Sequence, residues 1–189
     1  PMRAILDAAD KNGYAQGAFN VNAVCQVKAA VDVHQILRSP AIIQGADLAN
    51  GFMGGRTDFA NSTLEDKKAG AKNIGAAVKK YAADSDIPVA LHLDHGKNFD
   101  SCIAAIEGGY TSVMIDGSSL PFDENVELTR EVVKYAHERG VTVEGELGVL
   151  AGVEDHVFAA TSTYTNPLSA IDFFKKTGVD ALAISYGTM

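Results

Sequence analysis

The alternation of short apolar runs with helical segments is the feature that most restricts how this chain can fold. Six runs rich in Ala, Val and Ile indicate strands, at residues 17–22, 40–44, 88–94, 112–116, 141–147 and 181–186. Helical patterns precede and separate them, at residues 2–12, 23–38, 62–83, 98–107, 123–139 and 167–177. Because the strands are too apolar for either face to be exposed to solvent, the alternation predicts a parallel sheet covered by helices.

Two parallel architectures fit this alternation, a doubly wound open sheet and a (β/α)8 barrel. The turn after the first strand reads Ala23-Val24-Cys25-Gln26, which contains neither a GxGxxG motif nor a P-loop. Polar and ionisable residues instead stand at the C-terminal ends of several strands, and these are Asn20, Asn22, Asp94, His95, Asp116, Glu144 and Glu146. In a barrel those ends meet at one mouth.

We therefore predict an α/β fold, a (β/α)8 TIM barrel of which residues 1–189 form a single incomplete domain. Six strands are visible in the sequence, whereas a complete barrel has eight strands and typically about 250 residues. An open six-stranded arc would leave two parallel edges unpaired. We expect the polypeptide to continue beyond Met189.

Charge and composition restrict the partners. A net charge of −8 argues against non-specific binding to nucleic acid or anionic membranes. No apolar run reaches about 18 residues, and the N-terminus has no signal-peptide pattern, so we expect a cytoplasmic protein without a membrane span. Cys25 and Cys102 have no metal-like spacing, and we expect both to be buried free thiols.

Residues 88–96, PVALHLDHG, concentrate polar chemistry at one strand end. His92 and Asp94 share one face of the strand, and His95 follows where the strand breaks at Gly96. Two histidines and an aspartate in an apolar strand are costly to bury unless they are paired or bind a metal. The segment alone leaves open a hydrogen-bonded histidine or a metal and acid–base site.

Carboxylates at two other strand ends favour the metal. Glu144 and Glu146 lie on one face of one strand, and Asp116 ends another. Carboxylates that converge on one mouth repel one another unless a cation is present, so we infer a divalent metal.

Residues 148–156, GVLAGVEDH, begin a long segment of small residues that carries Glu154 and Asp155. The segment fits a solvated loop with surface acids. It also fits a mobile lid that delivers a carboxylate to the site.

Six ordered motifs carry a family resemblance: residues 17–20 (GAFN), 92–96 (HLDHG), 112–118 (SVMIDGS), 144–148 (EGELG), 152–155 (GVED) and 177–184 (TGVDALAI). Together they resemble the class II ketose-bisphosphate aldolases, above all the fructose-1,6-bisphosphate and tagatose-1,6-bisphosphate aldolases. The resemblance runs from about residue 2 to residue 189.

The resemblance implies a set of metal ligands. His95 would be the first of three histidine ligands of a catalytic Zn²⁺, and the next would follow Met189 directly, in a His-Gly pair. Asp116 and Glu146 match positions that hold a second or displaced divalent metal. A monovalent cation is a further expected cofactor.

The resemblance also implies catalytic and substrate-binding residues. Asp94 would exchange a proton with the C4 oxygen of the sugar, and Glu154 would move the C1 proton of dihydroxyacetone phosphate. Asn20 matches a polar residue of the substrate pocket. His92 and Glu144 are expected only to face the site.

Three positions depart from the family pattern. Gln44-Gly45-Ala46 offers no hydroxyl where a phosphate-binding serine is frequent, Ser119 stands where histidine is common, and residues 51–63 form a longer stretch than expected. These departures bear on substrate specificity.

The expected function is reversible, metal-dependent cleavage of fructose 1,6-bisphosphate to dihydroxyacetone phosphate and glyceraldehyde 3-phosphate, a step of glycolysis and gluconeogenesis. The alternatives are a tagatose-1,6-bisphosphate aldolase and a catalytically inactive, aldolase-like binding barrel. The expected partners are phosphorylated sugars and further copies of the chain, as a homodimer or larger homo-oligomer.

Overall fold

The computed structural model describes residues 2–149 and 163–187, together with the backbone of residues 152–154 and 157–159. The strands are β1 (Ala18–Asn20), β2 (Ala41–Ala46), β3 (Val89–Gly96), β4 (Ser112–Ile115), β5 (Thr142–Leu147), β6 (Gly152–Glu154), β7 (Val157–Ala159) and β8 (Ala181–Ile184). The helices are α1 (Met2–Asn12), α2 (Val24–Leu37), α3 (Asp47–Met53), α4 (Leu64–Ala82), α5 (Phe99–Glu107), α6 (Phe122–His137) and α7 (Pro167–Thr177), with a 3-10 turn at Phe59–Asn61.

Six strands form one sheet in the order β1-β2-β3-β4-β5-β8, and every neighbouring pair is parallel. The strands follow one another across the sheet as they do along the chain, so the order never reverses. A doubly wound sheet needs such a reversal. The fold is therefore α/β, and the sheet represents six strands of a TIM barrel, as the sequence predicts.

The two faces of the sheet carry different residues. Leu91 and Leu93 point outward into the apolar core that the helices cover. The inner residues Ile42 and Ala90 instead pack against Met2 and Ile5 of α1. Helix α1 therefore closes one end of the sheet interior. Burying a side chain such as Ile5, which is 1% exposed, contributes about 1.5–3 kcal/mol.

Side-chain caps fix where three of the described helices begin, whereas α2, α3 and α6 begin without a side-chain cap. Thr63 and Asp66 form a reciprocal capping box at the start of α4. Asn98 caps α5, and Asn166 caps α7, where Pro167 occupies the first turn. A cap of this kind contributes about 1 kcal/mol. These caps are local signals, and the starts expected from sequence for α4, α5 and α7 lie within two residues of the starts in the structure.

Besides the 3-10 turn, two described parts of the chain contain structure that the sequence did not predict. Helix α3 is short and contains Gly51, so it has little periodic signal. It forms because α4 packs closely on it: a Cβ on Gly70 would lie 1.7 Å from the Asn50 carbonyl oxygen. The second part is the antiparallel hairpin of β6 and β7.

The burial of the cysteines was predicted only in part. Cys102 is a buried free thiol, as expected, whereas Cys25 is exposed and that prediction was wrong. Cys25 lies in the first turn of α2, whose buried residues are Val27 and Val31, so it lies off the buried face of the helix. Among the described residues, no helix is both long and apolar enough to cross a membrane.

Candidate active site

A bulge at the end of β3 turns two consecutive residues toward one cavity. The register of β3 against β4 shifts between Leu93 and Gly96, and His95 has a φ of 48°. In a regular strand, Asp94 and His95 would point to opposite faces. The bulge changes the direction of His95, so that both side chains line the same cavity of about 260 Å³.

Gly96 is required for this backbone path. A Cβ at this position would lie 2.6 Å from the Met114 carbonyl oxygen and 2.8 Å from Leu93 Cδ2. The close approach of β4 therefore excludes any side chain where the bulge ends.

Three potential metal ligands from three neighbouring strand ends converge beside the cavity. His95 Nδ1 lies 3.0 Å from Asp116 Oδ2 and 3.6 Å from Glu146 Oε2. One ligand atom from each residue lies within 4.8 Å of the other two. One imidazole and two carboxylates, all partly buried, form a donor set that suits a divalent cation.

Ser118 fixes the Asp116 carboxylate. Its backbone N–H donates to Asp116 Oδ1 at 3.0 Å and its hydroxyl donates to the same oxygen at 2.6 Å. The other oxygen, Oδ2, is then directed at His95. Sequence reasoning missed Ser118, although an aspartate at a strand end is a known signal for a turn in which its side chain accepts from the backbone two residues on.

His95 and Asp116 shift each other's pKa. The hydrogen bond with Asp116 raises the pKa of His95 to about 9, although burial opposes the shift. Burial alone would raise the pKa of Asp116, but hydrogen bonds from His95 and Ser118 outweigh it and hold that pKa below its ordinary value. In the metal-free protein the imidazolium therefore offsets the nearby carboxylates at neutral pH, a role that a metal cation would take over.

Asp94 is held by Asn20. The Asn20 amide donates to Asp94 Oδ2 at 2.9 Å, across β2, while Asp94 Oδ1 lies 4.0 Å from His95 Nε2. One carboxylate oxygen is thus anchored and the other faces His95 of the three-residue cluster. A carboxylate in this arrangement can exchange a proton with a ligand beside the cluster.

The structure brings together five of the six residues predicted for the site: Asn20, Asp94, His95, Asp116 and Glu146. The sixth, Glu154, ends β6, and its side chain lies outside the described residues. Asp155 also lies outside them.

The segment that carries Glu154 leaves and returns beside the site. Val149 and Thr163 bridge its two ends. The Thr165 hydroxyl donates to the Leu147 carbonyl and accepts from the Ser185 backbone N–H at 2.8 Å. The segment is therefore anchored between the ends of β5 and β8.

The family assignment follows from comparison with known proteins. The family model for class II fructose-bisphosphate aldolase matches residues 1–189. The chain belongs to this family. It is 50% identical to a fructose-bisphosphate aldolase of Treponema pallidum over 182 residues, which are 94% of this chain and 51% of that protein. It is 40% identical to the fructose-bisphosphate aldolase of Geobacillus stearothermophilus over 190 residues, 100% of this chain and 61% of that protein.

A solved structure has the same fold. The YdjI aldolase of Escherichia coli K12 matches with a TM-score of 0.77 and 29% identity, over 100% of this chain and 61% of that chain. The chain thus spans about half to three fifths of the length of these three proteins.

Proposed function

We propose that the intact protein is a class II fructose-bisphosphate aldolase that reversibly cleaves fructose 1,6-bisphosphate to dihydroxyacetone phosphate and glyceraldehyde 3-phosphate. The observation that carries this proposal is the position of Asp94, whose carboxylate faces His95 beside Asp116 and Glu146. An acid–base group next to a metal-competent cluster is the combination that cleavage of a carbon–carbon bond beside a carbonyl requires. Tagatose 1,6-bisphosphate is the alternative substrate.

We assign the metal as Zn²⁺, with His95 as a catalytic ligand. Imidazole nitrogen and carboxylate oxygen are both ordinary zinc ligands. Asp116 and Glu146 would hold the same ion when it is displaced, or a second divalent ion. A bound zinc would supply a Lewis acid that polarises the substrate carbonyl.

Asp94 is the proposed acid–base residue for the C4 oxygen. In the cleavage direction it accepts the proton of the C4 hydroxyl as the C3–C4 bond breaks, and the electron pair of that bond moves toward the C2 carbonyl. The Asn20 amide fixes Oδ2, so the freedom that Asp94 would lose on binding substrate is already restricted. Asn20 can also contact the substrate from this position.

Glu154 is the proposed acid–base residue for C1 of dihydroxyacetone phosphate. The anchoring of its segment between β5 and β8, beside the cluster, supports this assignment. Delivery of the carboxylate from a hairpin would let it act after the aldehyde product has left.

The test is to measure zinc content and cleavage of both ketose bisphosphates with the intact protein, expressed from its native gene. We expect bound zinc, loss of cleavage on chelation and recovery on adding Zn²⁺. A higher kcat/KM for tagatose 1,6-bisphosphate would change the substrate assignment. A protein with neither zinc nor cleavage would be the inactive binding barrel. We further propose that the protein is a cytoplasmic homo-oligomer. Light scattering of the same sample measures the size of the oligomer.

A further inference from the structure

A buried polar chain crosses three strands on the inner face of the sheet. His92 on β3 is 4% exposed, and its Nδ1 lies 2.8 Å from the hydroxyl oxygen of Ser112 on β4. On its other side, His92 Nε2 lies 3.3 Å from Glu144 Oε2 on β5. The three side chains thus connect the barrel interior with the strand that also carries Glu146.

One tautomer of His92 serves both contacts. With the proton on Nε2, the Ser112 hydroxyl donates to Nδ1 and the Nε2 proton faces the Glu144 carboxylate. Ser112 is 2% exposed, so it has little access to water as a competing partner. The orientation of the imidazole is therefore fixed from one side and directed toward Glu144 on the other.

Glu144 reaches the candidate active site. It lines the 260 Å³ cavity together with Asp94, His95 and Glu146, but it does not belong to the three-residue ligand cluster. It also lines the larger cavity of about 580 Å³ that continues along the inner face of the sheet to α1. Its side chain is 29% exposed, which leaves the carboxylate accessible to a ligand in the cavity.

We propose that Glu144 is a specificity-determining residue that accepts a hydrogen bond from a hydroxyl of the phosphorylated sugar, and that His92 is the positioning residue that holds it. This inference rests on the proposed aldolase function. A sugar presents several hydroxyl donors, and a carboxylate acceptor that is held in place binds one of them without first losing its own rotational freedom. Ser112 completes the arrangement by fixing His92.

The alternative is that the three residues only satisfy one another inside the core. Loss of His92 would then reduce stability and leave the substrate dependence unchanged. The positioning role instead predicts a change in KM and a displaced Glu144.

The experiment compares His92→Leu, His92→Gln and Glu144→Gln in the intact zinc-loaded protein, with fructose 1,6-bisphosphate as the substrate. We expect His92→Leu to raise KM on the order of tenfold to a hundredfold, the range for a lost hydrogen bond to a charged group, with the zinc stoichiometry retained. His92→Gln keeps a donor near the Nε2 position and should recover part of the loss. In the Glu144→Gln background, His92→Leu should add little, because its partner is already changed.

The matched control is His34→Leu, which removes a half-buried histidine whose Nδ1 lies 2.8 Å from the Ala30 carbonyl oxygen within α2 and which lines neither cavity. It should leave KM unchanged. If His92→Leu does not fold, Ser112→Ala removes a single hydroxyl and should raise KM in the same direction by a smaller factor.

A crystal structure of the His92 variant separates this inference from the proposed function. A Glu144 carboxylate rotated away from the cavity supports the positioning role, and one that stays in place overturns it, whether or not the wild-type protein cleaves a ketose bisphosphate. An unchanged KM, or additive effects in the double variant, would equally overturn it. Absence of wild-type cleavage counts against the aldolase assignment alone.

Discussion

The imidazole of His95 and the carboxylate of Asp116 meet at the ends of neighbouring strands, with Nδ1 3.0 Å from Oδ2. The contact exists because the β3 bulge turns His95 inward while Ser118 holds Asp116. The same two groups would have to accept a metal ion, which binds the neutral imidazole. A proton and a metal ion therefore compete for the imidazole of His95.

The metal-free protein should lose stability as the pH rises from about 6.5 to about 9. The pKa of His95 is raised from 6.5 to about 9 by Asp116, so the folded state binds the proton more tightly than the unfolded state. That stabilisation is complete below pH 6.5 and disappears as the pH passes 9. Thermal unfolding of the chelated protein across this range measures it. A His95→Gln variant should lack this contribution, and an identical pH profile for both proteins would contradict the assignment.

Zinc affinity should rise with pH over the same interval. Below pH 9 each bound ion has to displace a proton from His95, so the apparent affinity should increase by up to about tenfold per pH unit. Competition with a chromophoric chelator between pH 6.5 and 9 measures it. A pH-independent affinity would mean that His95 is not a ligand.

Substitution of the two consecutive residues of the bulge should separate metal binding from proton transfer. We expect Asp94→Ala to retain zinc and lose turnover by about 10²- to 10⁴-fold, the usual contribution of an acid–base group. His95→Ala should lose the metal itself. Metal analysis and single-turnover kinetics distinguish the two. Retention of zinc by His95→Ala would remove it from the ligand set.

Glu154→Ala should slow exchange of the C1 proton of dihydroxyacetone phosphate with solvent deuterium, which NMR measures directly. The adjacent Asp155→Ala is the matched control and should exchange at the wild-type rate. If exchange in Glu154→Ala is unchanged, Glu154 is a surface acid of the hairpin.

The sequence predicts most of the fold, because strand apolarity and helix capping are local properties. It also places Asp94, His95, Asp116 and Glu146 at strand ends that a barrel brings together. It did not show that a bulge rather than regular alternation directs His95, because that depends on the contact of Gly96 with β4. Helix α3 and the bond between Asn20 and Asp94 also depend on partners far along the chain.

Gly96→Ala should disturb the site through the backbone. The added methyl group would meet the Met114 carbonyl oxygen at 2.6 Å, and this oxygen belongs to the paired strand β4 and cannot move aside like the end of a side chain. We expect a loss of stability of about 1–3 kcal/mol, as for overpacked cores, together with weaker zinc binding, because His95 precedes the displaced residue. Denaturant unfolding and metal titration measure the two effects.

Gly55→Ala provides the comparison for this substitution. Gly55 has a φ of 95° and open space around its missing Cβ, so alanine there introduces backbone strain without a steric contact. It should cost about 1 kcal/mol and leave zinc affinity unchanged. If both variants bind zinc like the wild type, the bulge is not what places His95 in the cluster. If only Gly96→Ala weakens binding, the close approach of β3 and β4 is a requirement of the metal site.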